Sequence, residues 1–161
     1  MSALAAPFLM PPGDSRRDDA ILPFKLLADD SGGALSACEF TLGAWESGPV
    51  LHLHTGVDEA FFVVSGQLEA QLGDHRLQAE AGCFMWVPRH TAHTFANAGT
   101  ATVHVLALAM PGGIEHLFAE QAAHIADAGG LPDPAIMDEI GRRHGALTLG
   151  PPIRARQAPH A

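Results

Sequence analysis

The sequence has little charge, and little of it is positive. Charged residues make up 17% of its 161 positions, and 9 Lys and Arg stand against 18 Asp and Glu, which gives a formal net charge of -9. Such a chain has no basic surface able to neutralise a run of phosphates, which argues against nucleic acid and anionic membranes as partners. We therefore expect a small-molecule partner.

Cysteines and membrane signals are also scarce. Only Cys38 and Cys83 are present, which is too few for a disulfide scaffold and lacks the C-x-x-C spacing of zinc and redox sites. The apolar opening, Met1 to Met10, has no positively charged start and is ended by Pro11 and Pro12, so it fits neither a membrane span nor a signal peptide. We expect two buried thiols in a soluble, cytoplasmic protein.

Turn-forming residues are plentiful. With 17 Gly, 12 Pro and 47% hydrophobic residues, the composition is that of a globular chain with short strands. Its length suits one domain. We divide it into an N-terminal arm with at most short strands (1–34), a β-barrel core (35–111), C-terminal helices packing on the barrel (112–150) and a tail (151–161).

Strands are predicted where apolar and β-branched residues alternate between turn residues. The stretches are Leu35–Trp45, Ala60–Leu72, Cys83–Val87 and Thr102–Ala109. A hairpin is expected around Gly73 and Asp74. Helical spacing begins at Ile114 and stops at Gly129. A second helix is predicted from Pro134 to His144, with Asp133 as its N-cap.

A group of metal-ligating side chains is the strongest local signal. His52 and His54 stand two apart, so on a strand both imidazoles face the same side. A turn then brings Glu59 onto the next strand, where a carboxylate on an apolar inner face costs several kcal/mol unless it is paired or binds a metal. His93 follows a turn fixed by Pro88. Any one histidine alone is better explained as a core or surface residue.

Three imidazoles and one carboxylate form a mixed nitrogen and oxygen shell. This shell suits one divalent transition metal, namely Fe, Mn, Co, Ni, Cu or Zn, and the sequence leaves the choice among them open. An octahedral ion with four protein ligands keeps about two positions free, which is typical of an active site rather than a closed structural site.

These residues resemble the two cupin motifs, G-x5-H-x-H-x3-4-E-x6-G and G-x5-P-x-G-x2-H-x3-N. The matching positions are His52, His54, Glu59, Gly66, Gly82, Pro88, His93 and Asn97. Two positions depart from the motifs: Glu46 stands where the first glycine belongs, and His90 replaces the middle glycine of the second motif. Neither is a metal ligand, so only the local turn geometry is affected.

The resemblance implies an all-β cupin fold, a double-stranded β-helix (jelly-roll barrel) with one or two C-terminal α-helices. Gly32-Gly33, the run from Asp58 to Phe62, Pro111 to His116 and Leu149 to Pro152 are similar to bacterial monocupins related to quercetin (flavonol) dioxygenases. In that family the three histidines and the glutamate bind the metal, and the glutamate acts as a base.

Carried over, the resemblance makes His52, His54, Glu59 and His93 the metal ligands and Glu59 the catalytic residue. It implies a small aromatic or enediol-like substrate, O2 as co-substrate, and a homodimer paired through an exposed edge strand or the arm from Phe8 to Met10. The alternative is a metal-anchored isomerase or cyclase, or a small-molecule-binding cupin, without oxygenase activity.

Several further residues are open to two interpretations. Five of them either line an apolar substrate pocket or belong to the ordinary core of the barrel: Phe61, Val63, Phe84, Trp86 and Phe95. His104 either reaches the pocket or lies on the sheet surface, and His90 is a candidate for the mouth of the site.

Overall fold

Two five-stranded antiparallel sheets face each other in this computed structural model, which describes residues 6–153. Sheet one has the order β1-β2-β9-β4-β7, with strands Phe24–Leu26, Ser36–Leu42, Val103–Met110, Asp58–Ser65 and Phe84–Val87. Sheet two has the order β10-β3-β8-β5-β6, with strands Ala146–Gly150, Leu51–His54, His93–Ala96, Gln67–Leu72 and His75–Glu80. Helices α1 (Ile114–Ala128) and α2 (Pro134–Arg143) precede β10. The predicted jelly-roll cupin fold is confirmed.

The core lies between the two sheets. Along β9, buried residues alternate with half-buried ones: Val103, Val105 and Ala107 are buried, and the residues between them are half-buried. In β4, Phe61 and Val63 point into the same space. Alternation with a period of two thus sorts each strand into an inner and an outer face.

The structure differs from the predicted strands in two main ways. The stretch from Ala60 to Leu72 is split at Gly66, which has φ +81° and where a Cβ atom would lie 2.8 Å from the Thr102 carbonyl oxygen. Only glycine tolerates both constraints, so the chain crosses here from sheet one to sheet two. Strand β10 was not predicted, and it pairs with β3 where only helices were expected.

The other local predictions are confirmed. Strands β5 and β6 form the expected hairpin, with Leu72 opposite His75. Helix α1 ends at Gly129, and the Asp133 side chain accepts a hydrogen bond from the Ala135 N–H at the start of α2. Within residues 6–153, neither helix is long and apolar enough to span a membrane.

A buried carboxylate fastens the N-terminal arm and α1 to the barrel. Glu115 accepts hydrogen bonds from the Ala28 N–H (2.8 Å), the Ser36 hydroxyl (2.5 Å) and the Gly113 N–H (3.1 Å). Burial raises the pKa of Glu115, but these donors outweigh it and the net shift is downward. The arm carries the short strand β1, as expected. The predictions for residues 1–5 and for residues 154–161 of the tail concern positions outside the described residues.

The two cysteines have different environments. Cys38 is buried on β2, as expected, and burial raises the pKa of its thiol to about 12. The expectation of a second buried thiol is wrong, because Cys83 is exposed. It stands just before β7, the edge strand of sheet one, where no neighbouring strand covers it.

Asn97 ties together the loops at one end of the barrel. Its side chain is fully buried, and its amide nitrogen lies 2.7 to 3.0 Å from the carbonyl oxygens of Leu42, Gly43 and Ala101. Its amide oxygen accepts a hydrogen bond from the Gly99 N–H at 2.8 Å. The motif asparagine therefore satisfies backbone groups that would otherwise be buried without partners.

Replacing Asn97 by Ala should lower the free energy of unfolding by about 3 kcal/mol or more, because several buried carbonyl groups lose their donor. Urea denaturation followed by circular dichroism would measure the change. Gln67→Ala is the control, because that amide bonds only to the Gln78 side chain at the surface and its loss should cost about 0.5 kcal/mol or less. Equal effects of the two substitutions would contradict the role given to Asn97.

Candidate metal centre

Four side chains from both sheets meet at one point in the barrel. His52 and His54 come from β3 and His93 from the neighbouring β8, where His52 is directly opposite His93. Glu59 comes from β4 in the facing sheet. One ligand atom from each lies within 4.8 Å of the others. The structure thus brings together the four residues that the sequence predicts as ligands.

The distances within the cluster fit a metal ion. Glu59 Oε2 lies 2.9 Å from His93 Nε2 and 3.3 Å from His54 Nε2. Two ligand atoms that are each about 2.1 Å from one ion, at right angles to each other, are about 3 Å apart. The spacing therefore matches adjacent positions of one coordination sphere.

Backbone carbonyl groups set the tautomers of two of the imidazoles. His52 Nδ1 lies 2.8 Å from the Val50 oxygen, and His93 Nδ1 lies 3.0 Å from the Thr91 oxygen. Because a carbonyl oxygen can only accept, each Nδ1 carries the hydrogen and donates it. A neutral ring then presents the lone pair of Nε2 to the cluster. This arrangement of a ring fixed by its other nitrogen is typical of metal-bound histidine.

The same tautomers leave two buried atoms without a hydrogen bond. Glu59 Oε2 and His93 Nε2 are 2.9 Å apart, yet both lack hydrogen-bond partners among the described residues. With Nδ1–H donated to Thr91, a neutral His93 brings one lone pair against another. A cation between these atoms would satisfy both, so the residues present fit a metal.

The electrostatics favour the ligand forms of three of the four groups, namely His52, His54 and Glu59. Burial, together with the neighbouring imidazoles, lowers the pKa of His52 to about 4, and burial also lowers the pKa of His54. Burial raises the pKa of Glu59, but the adjoining histidines outweigh it and hold it below the usual value. Burial lowers the pKa of His93, yet Glu59 more than offsets this. Near neutral pH, Glu59 is ionised and His52 and His54 are neutral, as metal binding requires.

A backbone hydrogen bond and a left-handed residue fix the turn that precedes His93. His90 has φ +66° and its N–H donates to the His54 carbonyl at 2.7 Å. This is the position where the motif has glycine, so the histidine adopts the conformation that glycine favours. Its side chain is exposed beside the site and is not among the four ligands.

An ion pair that sequence reasoning missed fixes the start of β4. Arg89 donates from its side chain to both oxygens of Asp58, at 3.0 and 2.7 Å, and its backbone N–H donates to the same carboxylate at 2.8 Å. Hydrogen bonds from Arg89 lower the pKa of Asp58 to about 2. The acidic and basic residues stand 31 positions apart, and no local pattern marks them as partners.

The interior beside the cluster is filled by aromatic rings. Phe61 lies 6.1 Å from the His93 ring and 5.4 Å from Phe95, measured between ring centres. Phe40, which sequence reasoning did not single out, stacks on Phe95 at 4.9 Å. With Val63 fully buried beside them, these residues are core of the barrel, and only Phe61 approaches a ligand.

Three of the candidate pocket residues lie elsewhere. Phe84 and Trp86 are on the outer face of β7, 62% and 49% exposed, because Met85 and Val87 take its inner face. Phe84 and Trp86 therefore belong neither to an interior pocket nor to the core, and both predictions for them are corrected. His104 is on the outer face of β9, where Nε2 lies 3.1 Å from the Glu39 carboxylate. This position is on the sheet surface and away from the four residues of the cluster.

Comparisons with known proteins agree with this geometry. Residues 38–109 match the family model described as a cupin domain. This segment contains all four residues of the cluster. No protein with a curated description matches the chain.

Solved structures share the fold at low sequence identity. The structure of a predicted oxalate decarboxylase from Thermotoga maritima aligns with a TM-score of 0.53 and 18% identity, over 56% of this chain and 78% of that one. An uncharacterised Klebsiella pneumoniae protein with a double-stranded β-helix domain gives 0.51 and 16%, over 65% and 84%. A sugar phosphate isomerase of Silicibacter pomeroyi gives 0.48 and 20%, over 54% of this chain and only 57% of that one.

Replacing His90 by Gly should leave the metal content unchanged and raise the free energy of unfolding by up to about 1 kcal/mol, because glycine removes the left-handed strain of that backbone. Denaturant unfolding of the metal-free protein would measure the effect. His75→Gly, on an exposed strand position of β6, is the control and should destabilise the fold. Destabilisation by both substitutions would contradict the strain argument.

Replacing His93 by Ala should weaken metal binding by more than about 100-fold, since loss of a ligand should exceed the 10- to 100-fold cost of losing a group that only orients one. Elemental analysis of protein purified without added metal would give metal per chain. His75→Ala is the matched control, because that histidine is exposed on the hairpin. Equal metal content in the wild type and both variants, or none after each candidate metal is offered to the wild type, would contradict a metal centre here.

Proposed function

We propose that this chain, which matches a cupin-domain model over residues 38–109, belongs to the cupin superfamily and is a metal-dependent enzyme of the dioxygenase type that acts on a small aromatic or enediol-like substrate. The observation that carries the proposal is the buried cluster of His52, His54, Glu59 and His93, in which Glu59 Oε2 and His93 Nε2 lack hydrogen-bond partners among residues 6–153. A cytoplasmic location, O2 as co-substrate and the choice of metal remain predictions from the sequence.

The three imidazoles would hold the metal, with Glu59 as the fourth ligand. When bound, a divalent transition metal supplies Lewis acidity that lowers the pKa of a coordinated substrate hydroxyl. His52 and His93 keep their Nε2 atoms directed at the cluster through the carbonyl groups of Val50 and Thr91. The protein therefore provides a pre-oriented set of donors that need not reorganise on binding.

Glu59 is the group best suited to accept the substrate's proton. The residue is only 8% exposed, and the histidines hold the pKa of its carboxyl group below the usual value, so it is ionised at neutral pH. The residue opposite it on β7 is Val87, so its surroundings on that side are apolar. A proton from a substrate enol or phenol hydroxyl can pass to this carboxylate without leaving the site.

Access to the cluster favours a small substrate. Of the four residues, His52 alone is not fully buried, so a substrate would approach on its side. On the inner side, Phe61, Phe95 and Phe40 pack against one another. An oxygen-bearing edge that reaches the centre from outside fits this arrangement better than a large flat molecule inserted into the barrel.

Because the aromatic rings fill the interior and favour a small substrate, a second candidate function fits the same site. A metal-anchored isomerase or cyclase acting on a small oxygen-rich substrate would use the same ligands and the same proton acceptor, with no need for O2. Binding without turnover is a third outcome that the same measurements would identify.

Oxygen consumption separates these candidates. Metal-loaded protein offered a flavonol, a catechol and a sugar phosphate should take up O2 with at least one of the first two, and should lose that activity when the metal is removed by a chelator. Turnover under argon would support the isomerase, and binding without product would support a sensor. Either result would contradict the dioxygenase proposal.

Glu59→Gln should slow turnover by roughly 10²- to 10⁴-fold, the range for losing a general base. Metal content, measured on the same samples, should fall much less. Glu69→Gln is the matched control, because Glu69 is a buried carboxylate outside the cluster. An unchanged rate in Glu59→Gln would rule out its role as the proton acceptor.

A further inference from the structure

The row of side chains that contains the metal ligands continues beyond them to the edge of sheet two. His52 lies opposite His93 on one side and opposite Thr148 of the edge strand β10 on the other. Residues directly opposite each other in an antiparallel pair project from the same face, with Cβ atoms about 5 Å apart. The Thr148 side chain therefore stands next to the least buried of the four ligands, on the side from which a substrate would approach.

Helix α2 supplies a carboxylate to the same place. The Thr148 hydroxyl donates a hydrogen bond to Asp138 Oδ1 at 2.7 Å. Asp138 is half-buried and Thr148 is exposed, so molecules in solution can reach both. Within residues 6–153, the Asp138 side chain has no other hydrogen bond and no ion pair. These two residues are here called the rim pair.

The rim pair offers hydrogen-bond acceptors only. Because the hydroxyl hydrogen of Thr148 is donated to Asp138, Thr148 Oγ1 has only lone pairs left for a ligand. An aspartate carboxylate at neutral pH likewise accepts hydrogen bonds and donates none. A ligand group that binds here must therefore carry a hydrogen, as a hydroxyl group does. A carboxylate or phosphate oxygen would instead meet lone pairs and a charge of its own sign.

Basic side chains that could bind an anionic substrate are already paired. Every lysine and arginine between residues 6 and 153 forms an ion pair with a carboxylate. The two closest to Asp138 along the chain are Arg142 and Arg143, which pair with Glu139 and Glu120. The whole chain also has a formal net charge of -9. The rim beside His52 therefore favours an uncharged ligand over an anionic one.

We propose that the rim pair is a recognition subsite that accepts a hydrogen bond from a hydroxyl group of an uncharged, polyhydroxylated substrate and selects against anionic substrates. The inference rests on the proposed function, because it concerns the part of the substrate that is not held at the metal centre. A substrate that places two adjacent oxygens at the cluster would direct its next hydroxyl group to Asp138 or Thr148. Carboxylates and sugar phosphates are disfavoured at this position by the same two residues.

Three probes of matched shape test this selectivity. Catechol has two adjacent hydroxyl groups, pyrogallol adds a third beside them, and 2,3-dihydroxybenzoate has a carboxylate in that third position. Isothermal titration calorimetry on zinc-loaded protein under argon would measure their affinities without oxidation. The wild type should bind pyrogallol about 10-fold more tightly than catechol, the effect of one hydrogen bond to a charged acceptor. It should bind 2,3-dihydroxybenzoate more weakly than pyrogallol by at least the same factor.

Two substitutions in the rim pair should change the order of affinities in different ways. Asp138→Asn removes the charge and adds an amide donor, so 2,3-dihydroxybenzoate should bind about 10-fold more tightly than it does to the wild type. Thr148→Val keeps the shape but removes the hydroxyl acceptor, so pyrogallol should lose part of its advantage while 2,3-dihydroxybenzoate gains nothing. Metal per chain should be unchanged in both variants, because neither residue is one of the four ligands.

Two matched controls are available in the same chain. Glu139→Gln removes the same charge one position along α2, where the carboxylate pairs with Arg142. Thr41→Val removes an exposed hydroxyl group on β2, in the other sheet. Both controls should keep the wild-type order of the three probes, because neither residue belongs to the rim pair.

The outcomes separate the subsite from the metal centre. If catechol binds but pyrogallol has no advantage over it, or if Asp138→Asn leaves the affinity for 2,3-dihydroxybenzoate unchanged, the subsite is wrong and the metal centre stands. An equal gain in Glu139→Gln would also overturn the subsite, because it would show a general charge effect rather than a direct contact. A zinc-loaded wild type that binds none of the three probes would overturn the open metal centre of the proposed function, and the subsite with it.

Discussion

The burial of the Glu59 carboxylate between two sheets is the constraint on which the rest of this structure depends. An ionised carboxyl group inside an apolar barrel is costly unless positive charge or donors surround it. His54 and His93 lie at 3.3 and 2.9 Å from its Oε2, yet this oxygen has no hydrogen-bond partner within residues 6–153. The barrel is therefore built around a position where a cation belongs.

The cluster also links the two halves of the fold. Glu59 comes from sheet one, and the three histidines come from sheet two. An ion that binds all four would join the sheets directly, and because an unfolded chain cannot present the site, its binding energy would add to stability. The Asp58–Arg89 pair and the left-handed His90 sit on the segments that deliver these ligands. Rigid turns thus serve the site as much as the strands do.

The pairing of His52 with His54 could be predicted from the sequence because residues two apart on a strand face the same side, in any arrangement of the strands around them. The sequence does not show which face of a strand points into the core when the residues on both faces are apolar. In Phe84–Val87 every residue is hydrophobic, so alternation alone does not show that Met85 faces inward. The short strand β10 has no pattern of its own and depends on pairing with β3. The Asp58–Arg89 pair follows only from three-dimensional packing.

The distribution of aromatic residues then explains where this protein can act on other molecules. Phe40, Phe61 and Phe95 fill the barrel beside the cluster, and His52 is the least buried of its four residues, so a ligand of the proposed metal would reach it from the side of His52. Phe84 and Trp86 lie on the other side of the same sheet, where no interior needs them. An exposed aromatic face costs solubility unless something covers it. These two side chains are exposed because the alternation along β7 commits Met85 and Val87 to the core.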